Sequence, residues 1–361
     1  MRPLSATESI SPAIGRTKLI LFSPFRMGRT WKLSATSYLC RMGTMAYPFP
    51  LLLLVLVPLV HRADGAVAVV ALVVGVLLAT ALYFYIFHLC SRLQFAYFEI
   101  VVNRGEMVAP AWRNYRPQSR RWTGVKILFG IAAMLASAAP MVSYFRHVLP
   151  LLQSITPGQP PSPQIFAAIF AGYGIIALFF GSFFLVSSLL ADFIVPSLAL
   201  EDTSMAEAFR RMFALIRQEP GEFALYTLLK VVLAVATVMG ATIAWEIAFF
   251  LCTLIVGLIV FLCGFLLHLI GIPSIVLTVI GVFIAFTWYL FWILYVMLLA
   301  LGPVYTFLDS YALYFLGGRY PLLGDLLDRS THPPAHAYPT AFPPPPSEPT
   351  QAEPPSPPTE S

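Results

Sequence analysis

Three acids stand where long apolar runs meet short basic segments. Glu99 closes Phe95-Ala-Tyr-Phe-Glu99 and leads to Ala111-Trp-Arg-Asn-Tyr-Arg116. Asp192 lies in Leu190-Ala-Asp192-Phe-Ile-Val-Pro196 and leads to Ala206-Glu-Ala-Phe-Arg-Arg211. Asp309 lies in Thr306-Phe-Leu-Asp309-Ser-Tyr and leads to Gly317-Gly-Arg319-Tyr. An ionised carboxylate among apolar side chains is costly, so each acid should face other helices and find a partner. Arg92, Arg104, Arg210 and Lys230 are the nearby cations. Paired in this way, the acids would pin three elbows of the chain. Left open to water, the same carboxylates would suit a proton or cation path. Pinning is the simpler reading.

Other chemistry finds little support. There is no Walker A loop, HExxH, GxSxG, or GxGxxG in a strand–helix setting. His88 and His268 stand alone near the ends of apolar runs, and His332 and His336 lie in the proline-rich tail without further ligands. Cys40, Cys90, Cys252 and Cys263 form no CxxC or CxxH pair, so neither a zinc nor a redox site is indicated. The expectation is a protein without catalytic residues, cofactor or metal.

The elements that must hold these acids are set by composition. The chain of 361 residues is 58% hydrophobic and 11% charged, with a mean hydropathy of +0.80. Soluble domains carry about 25% charged residues, so lipid must serve as solvent for most of this chain. In lipid the backbone must bond internally, and long unalternating apolar runs do so as helices. Between Glu222 and Asp309 the formally charged residues are Lys230 and Glu246 alone. About 20 apolar residues cross a bilayer as a helix. Spans are expected at 66–90, 122–144, 164–191, 223–244, 247–270 and 275–301, with a proline-interrupted segment at 51–60 as a further one. The count is therefore six or seven, with Glu246 marking an outer turn.

Basic residues orient the bundle. They crowd the N-terminal arm and residues 91–121 and 199–222, and are sparse at 61–65 and 147–163. This places the N-terminus in the cytoplasm. The net charge of +5 then suits anionic lipid headgroups at the inner face rather than nucleic acid. Residues 22–42 mix Arg26, Arg29, Lys32 and Arg41 with aromatics, as a helix in the headgroup layer does. Ser204-Met-Ala-Glu207 is a capping box that opens a short amphipathic helix, with Phe209, Met212, Phe213 and Ile216 on one face. No apolar stretch follows Arg2 closely enough for a cleaved signal peptide.

Ser23-Pro-Phe-Arg-Met-Gly-Arg29, Phe95-Ala-Tyr-Phe-Glu-Ile-Val-Val-Asn-Arg104, Ala191-Asp-Phe-Ile-Val-Pro196 and Asp309-Ser-Tyr-Ala-Leu-Tyr-Phe-Leu-Gly317 together resemble an uncharacterised family of prokaryotic polytopic membrane proteins. That family is akin to the membrane domain of glycerophosphoryl diester phosphodiesterases. The resemblance covers about residues 21–323. It implies a six-helix type of inner-membrane bundle with no established activity and no catalytic residues to transfer. The expected architecture is an all-α, polytopic transmembrane bundle with short interfacial helices. A disordered N-terminus (1–20) would precede the membrane domain (21–327), and a disordered proline-rich tail (328–361) would follow. The expected role is a non-enzymatic scaffold or lipid-interacting protein of the inner (plasma) membrane, with a small-solute or ion transporter as the alternative.

Overall fold

The computed structural model describes residues 2–42, 66–103, 112–153 and 162–331. Every regular element among them is helical. In chain order these are α1 (Ile10–Phe22), α2 (Met27–Met42), α3 (Ala66–Asn103), α4 (Arg116–Gln153), α5 (Pro163–Glu201), α6 (Met205–Gln218), α7 (Pro220–Leu269), α8 (Ser274–Phe291), α9 (Leu298–Gly317) and α10 (Pro321–Thr331). A single π-helical turn, Trp292–Met297, joins α8 to α9 as one continuous rod. Among the described residues five helices are long and apolar enough to cross a membrane: α3, α4, α5, α7 and the α8–α9 rod.

These helices exceed a crossing, and the excess is unevenly used. At about 1.5 Å per residue, the 50 residues of α7 span about 75 Å, against about 30 Å of bilayer hydrocarbon. Along the most apolar stretches almost nothing is buried, so Phe170, Leu178, Phe261 and Ile270 stand bare. The buried residues collect where α3 and α5 end, α7 begins, and α9 passes. We call this the core end. Tyr226 lies flat between Phe315, at 4.3 Å, and Tyr311, at 5.2 Å. Phe95, Ile100, Trp122, Ile194 and Leu198 complete the layer, and Leu323 and Leu327 of α10 close it.

The two N-terminal helices belong to this core. Residues 1–20 are expected to be disordered, but α1 buries Ala13, Arg16, Thr17 and Ile20 on one face. The i, i+3, i+4, i+7 spacing of these residues is the inward face of an amphipathic helix, obscured in the sequence because one of the four is an arginine. Likewise α2 does not lie free on the surface of the bundle. It buries Leu33, Ser34, Ser37, Cys40 and Arg41 against α9. Small residues allow the close approach: a Cβ on Gly302 would lie 2.2 Å from that of Ser34, and the Ser37 hydroxyl donates to the Gly302 carbonyl at 3.2 Å.

Three other expectations change. Residues 223–244 and 247–270 are one helix, and Glu246 is exposed midway along it. No Gly or Pro breaks the chain at Trp245-Glu246, so a lone charge does not make a turn. The reversal comes at Gly271, whose φ of +94° suits glycine. On α6, Ala208 and Met212 face inward while Phe213 is exposed, so the expected apolar face is split between core and surface. Ser204 does cap α6 by accepting from the Glu207 amide, but the Glu207 carboxylate turns to Arg210 and Arg211. The helical domain runs through Thr331, four residues past its expected end at 327. Segment 51–60 and residues 332–361 lie outside the described residues.

Candidate functional site

The core end brings together two ion pairs, one buried and one part-buried. Asp192 sits on α5, one turn beyond Ser188, and both are buried. Tyr226 and Lys230 lie one turn apart on the facing side of α7. The Tyr226 hydroxyl donates to Asp192 Oδ2 at 2.8 Å, and the Lys230 ammonium meets the same oxygen. The two charged side chains are 5% and 4% exposed. Lys230 therefore turns inward rather than reaching for a surface.

The second pair joins α9 to α2. Asp309 meets Arg41, whose Nη1 also donates to Ser188 Oγ at 2.8 Å. Arg41 lies 6.0 Å from the centre of the Tyr305 ring. Ser188 and Asp192 share a face of α5, so one helix touches both pairs. Two acids and two cations balance in charge, and four helices supply them.

A cavity of about 70 Å³ opens beside the pairs, lined by Cys40, Arg41, Gln94, Tyr97, Asp192 and Asp309 among others. Room for one water takes about 10–15 Å³, so this space suits a few waters. Its wall is tied by Gln94 donating to the Cys40 carbonyl at 2.9 Å, and by Tyr97 and Thr306 sharing a hydrogen bond at 2.5 Å. Burial pushes the Cys40 thiol well up, and the Asp309 charge adds to this. A thiol held neutral is a poor nucleophile.

The third acid is different. Among the described residues Glu99 makes no ion pair, and its Oε2 is buried without a hydrogen-bond partner. It stands beside Tyr115, whose hydroxyl is pushed up to about 12 by burial first and then by the Glu99 charge. Of the four expected cations, Lys230 meets an acid. Arg92 instead donates to the Trp112 carbonyl at 2.8 Å and stacks on that indole at 4.7 Å. Arg210 pairs with Glu207 on its own exposed helix, and Arg104 lies outside the described residues.

Several cations that sequence reasoning does not single out prove structural. Arg41 belongs to the basic arm, and its acid is 268 positions away. The small-residue face Ser34, Ser37 and Arg41 at helical spacing is the one signal that it packs inward. Arg16 donates to the Val101 carbonyl at 3.0 and 2.7 Å and to the Val102 carbonyl at 2.6 Å. It thereby covers the C-terminal carbonyls of α3, where a cation also meets the negative end of the helix dipole. Lys126 donates to Ser91 Oγ at 3.1 Å and lies 5.3 and 5.4 Å from the Phe87 and Trp122 ring centres. Arg319 binds Glu219 at 2.6 Å and the Leu4 carbonyl at 2.9 Å, and stacks on Phe315. It clamps the first residues of the chain to the last helices.

Among the described residues, no group of three His, Cys, Asp or Glu side chains stands close enough to hold a metal ion. The arrangement joins helices and neutralises charge. No curated protein and no solved structure matches the chain. Residues 4–326 match a family described as a family of unknown function, DUF7544. The match carries no link to the glycerophosphoryl diester phosphodiesterases. With some nine-tenths of its length covered, from the Arg319-bound N-terminal arm to α10, this multi-pass membrane protein belongs to family DUF7544.

Proposed function

We propose that the protein is a non-enzymatic scaffold of a prokaryotic inner (plasma) membrane that interacts with lipid. Its N-terminus and core end face the cytoplasm. The observation that carries this is the charge balance at the core end: Asp192 and Asp309 are each spent on a cation from a different helix. A buried acid engaged in this way fastens helices and is not free to carry a solute. The basic arm and the basic residues at 91–121 and 199–222 support the orientation. Helix α6, with Phe213 exposed beside Arg210 and Arg217, suits the plane of an inner leaflet with anionic headgroups.

The transporter reading rests on one observation, the cavity beside Asp192 and Asp309. Asp192→Asn and Asp309→Asn separate the two. For a scaffold, both variants lose abundance in the membrane, and proteoliposomes containing wild type or variant pass protons and sodium no faster than empty ones. Ion flux through wild type that disappears in Asp192→Asn at normal abundance would refute the scaffold reading.

A further inference from the structure

One seam at the core end gathers positive charge that no acid among the described residues neutralises. His88 and Arg92 lie one turn apart on α3. Arg116, Arg120 and Thr123 lie on one face of α4 at i, i+4 and i+7. The faces meet, since the His88 ring nitrogen and the Thr123 hydroxyl share a hydrogen bond at 3.1 Å. Arg116 and Arg120 stand within electrostatic reach of both His88 and Arg92. Elsewhere at the core end Arg41, Arg211 and Arg319 each hold a carboxylate, and Arg16 holds backbone carbonyls. Among the described residues, no carboxylate pairs with Arg92, Arg116 or Arg120. Arg116 and Arg120 are exposed, while Arg92 is held in place by the Trp112 carbonyl and indole.

Like charges gathered on one seam repel, and an anion between them removes that repulsion. Guanidinium groups bind phosphate oxygens in pairs. The seam also continues into apolar surface. Phe84, one turn before His88, and Ile131, two turns beyond Thr123, are both exposed. Phosphate-binding cations above exposed apolar side chains on two membrane helices match a phospholipid with its head at the cytoplasmic edge.

We propose that Arg92, Arg116 and Arg120 form a binding site for the phosphate of one anionic phospholipid, with its chains along α3 and α4. The site deepens the lipid-interacting reading above and rests on it. The test uses full-length protein in detergent, supplied with phosphatidylglycerol or with phosphatidylcholine of the same chains, and reads retained lipid by native mass spectrometry. Wild type should keep one phosphatidylglycerol in preference to phosphatidylcholine. Arg92→Gln, Arg116→Gln and Arg120→Gln combined should weaken retention at least tenfold. Arg210→Gln with Arg217→Gln on α6 should leave it unchanged, and the triple lysine variant should recover part of it. Should the triple glutamine variant fail to fold, exposed Arg120→Gln alone should weaken retention several-fold. Retention unchanged in the seam variants, but lost in the α6 variant, would overturn this site and keep the lipid-interacting reading. No preference for phosphatidylglycerol in wild type would overturn both. Displacement by millimolar inorganic phosphate would overturn the lipid in favour of a free anion.

Discussion

Replacing Lys230 by methionine tests whether the buried charges hold the helices together. Methionine keeps most of the side-chain length and removes the ammonium. Asp192, 5% exposed, is then left with the Tyr226 hydroxyl at 2.8 Å as its hydrogen bond. Removing one partner of a buried ion pair costs about 3–5 kcal/mol, because the other charge stays buried. At about 1.4 kcal/mol per factor of ten, this is roughly a 10²–10⁴-fold shift toward unfolding. Adding Asp192→Asn should restore much of the loss. The amide carbonyl still accepts from Tyr226, and no charge remains without compensation, so the double variant should sit about 1–2 kcal/mol below wild type. The assay is reversible unfolding in mixed detergent micelles, followed by circular dichroism, on wild type, both single variants and the double. A single Lys230→Met loss under about 1 kcal/mol, or a double variant weaker than that single, would refute the reasoning.

Gly302→Val should destabilise by about 1–3 kcal/mol or more, because Ser34 occupies the space its side chain would need; Gly257→Val, with nothing within 4 Å, should match wild type in the same unfolding assay. Arg16→Met should cost about 2–3 kcal/mol through the lost charged bonds to Val101 and Val102, and Arg16→Lys should recover only part, since one ammonium lacks the guanidinium fork. On α6, hydrogen bonds from Arg210 and then Arg211 hold the Glu207 carboxyl below its ordinary range. A lowered value in the fold means a contribution present above the ordinary carboxylate range and lost as pH falls through the lower, folded value. Proteolysis within α6 should therefore stay constant from neutral pH down to that range and rise only in stronger acid, and Glu207→Gln should abolish the rise.

The sequence made the class and much of the site readable. Apolar length alone marks the membrane helices, and the cost of a carboxylate among apolar residues singles out Asp192 and Asp309. Lys230 is readable as a partner because it is the one cation in a long apolar run. Arg41 is not, since pairing across 268 positions leaves no local trace. Glu246 misleads in the opposite way, because an exposed charge on a continuous helix looks in the sequence like the end of one. The inward packing of the N-terminal helices is missed because their buried faces carry Arg16, Thr17, Ser34 and Ser37 in place of aliphatic residues. Polar residues that bury themselves by bonding to backbone carbonyls escape any reading based on apolar periodicity.

The joining of α2 to α9 has a consequence for how the protein is made. Ribosomes add roughly 5–20 residues per second, so Arg41 is synthesised some 13–54 s before Asp309, 268 positions later. The membrane helices between them can enter the bilayer one by one during that interval. The core end cannot close until the last of them has emerged, because Gly302 and Asp309 supply the contacts that seat Ser37 and Arg41. A chain cut short anywhere before α9 would carry inserted helices and an unseated N-terminal arm. Quality-control proteases would then meet a clear difference between finished and unfinished copies. The long-range pair thus makes completion of synthesis a condition for reaching the compact state.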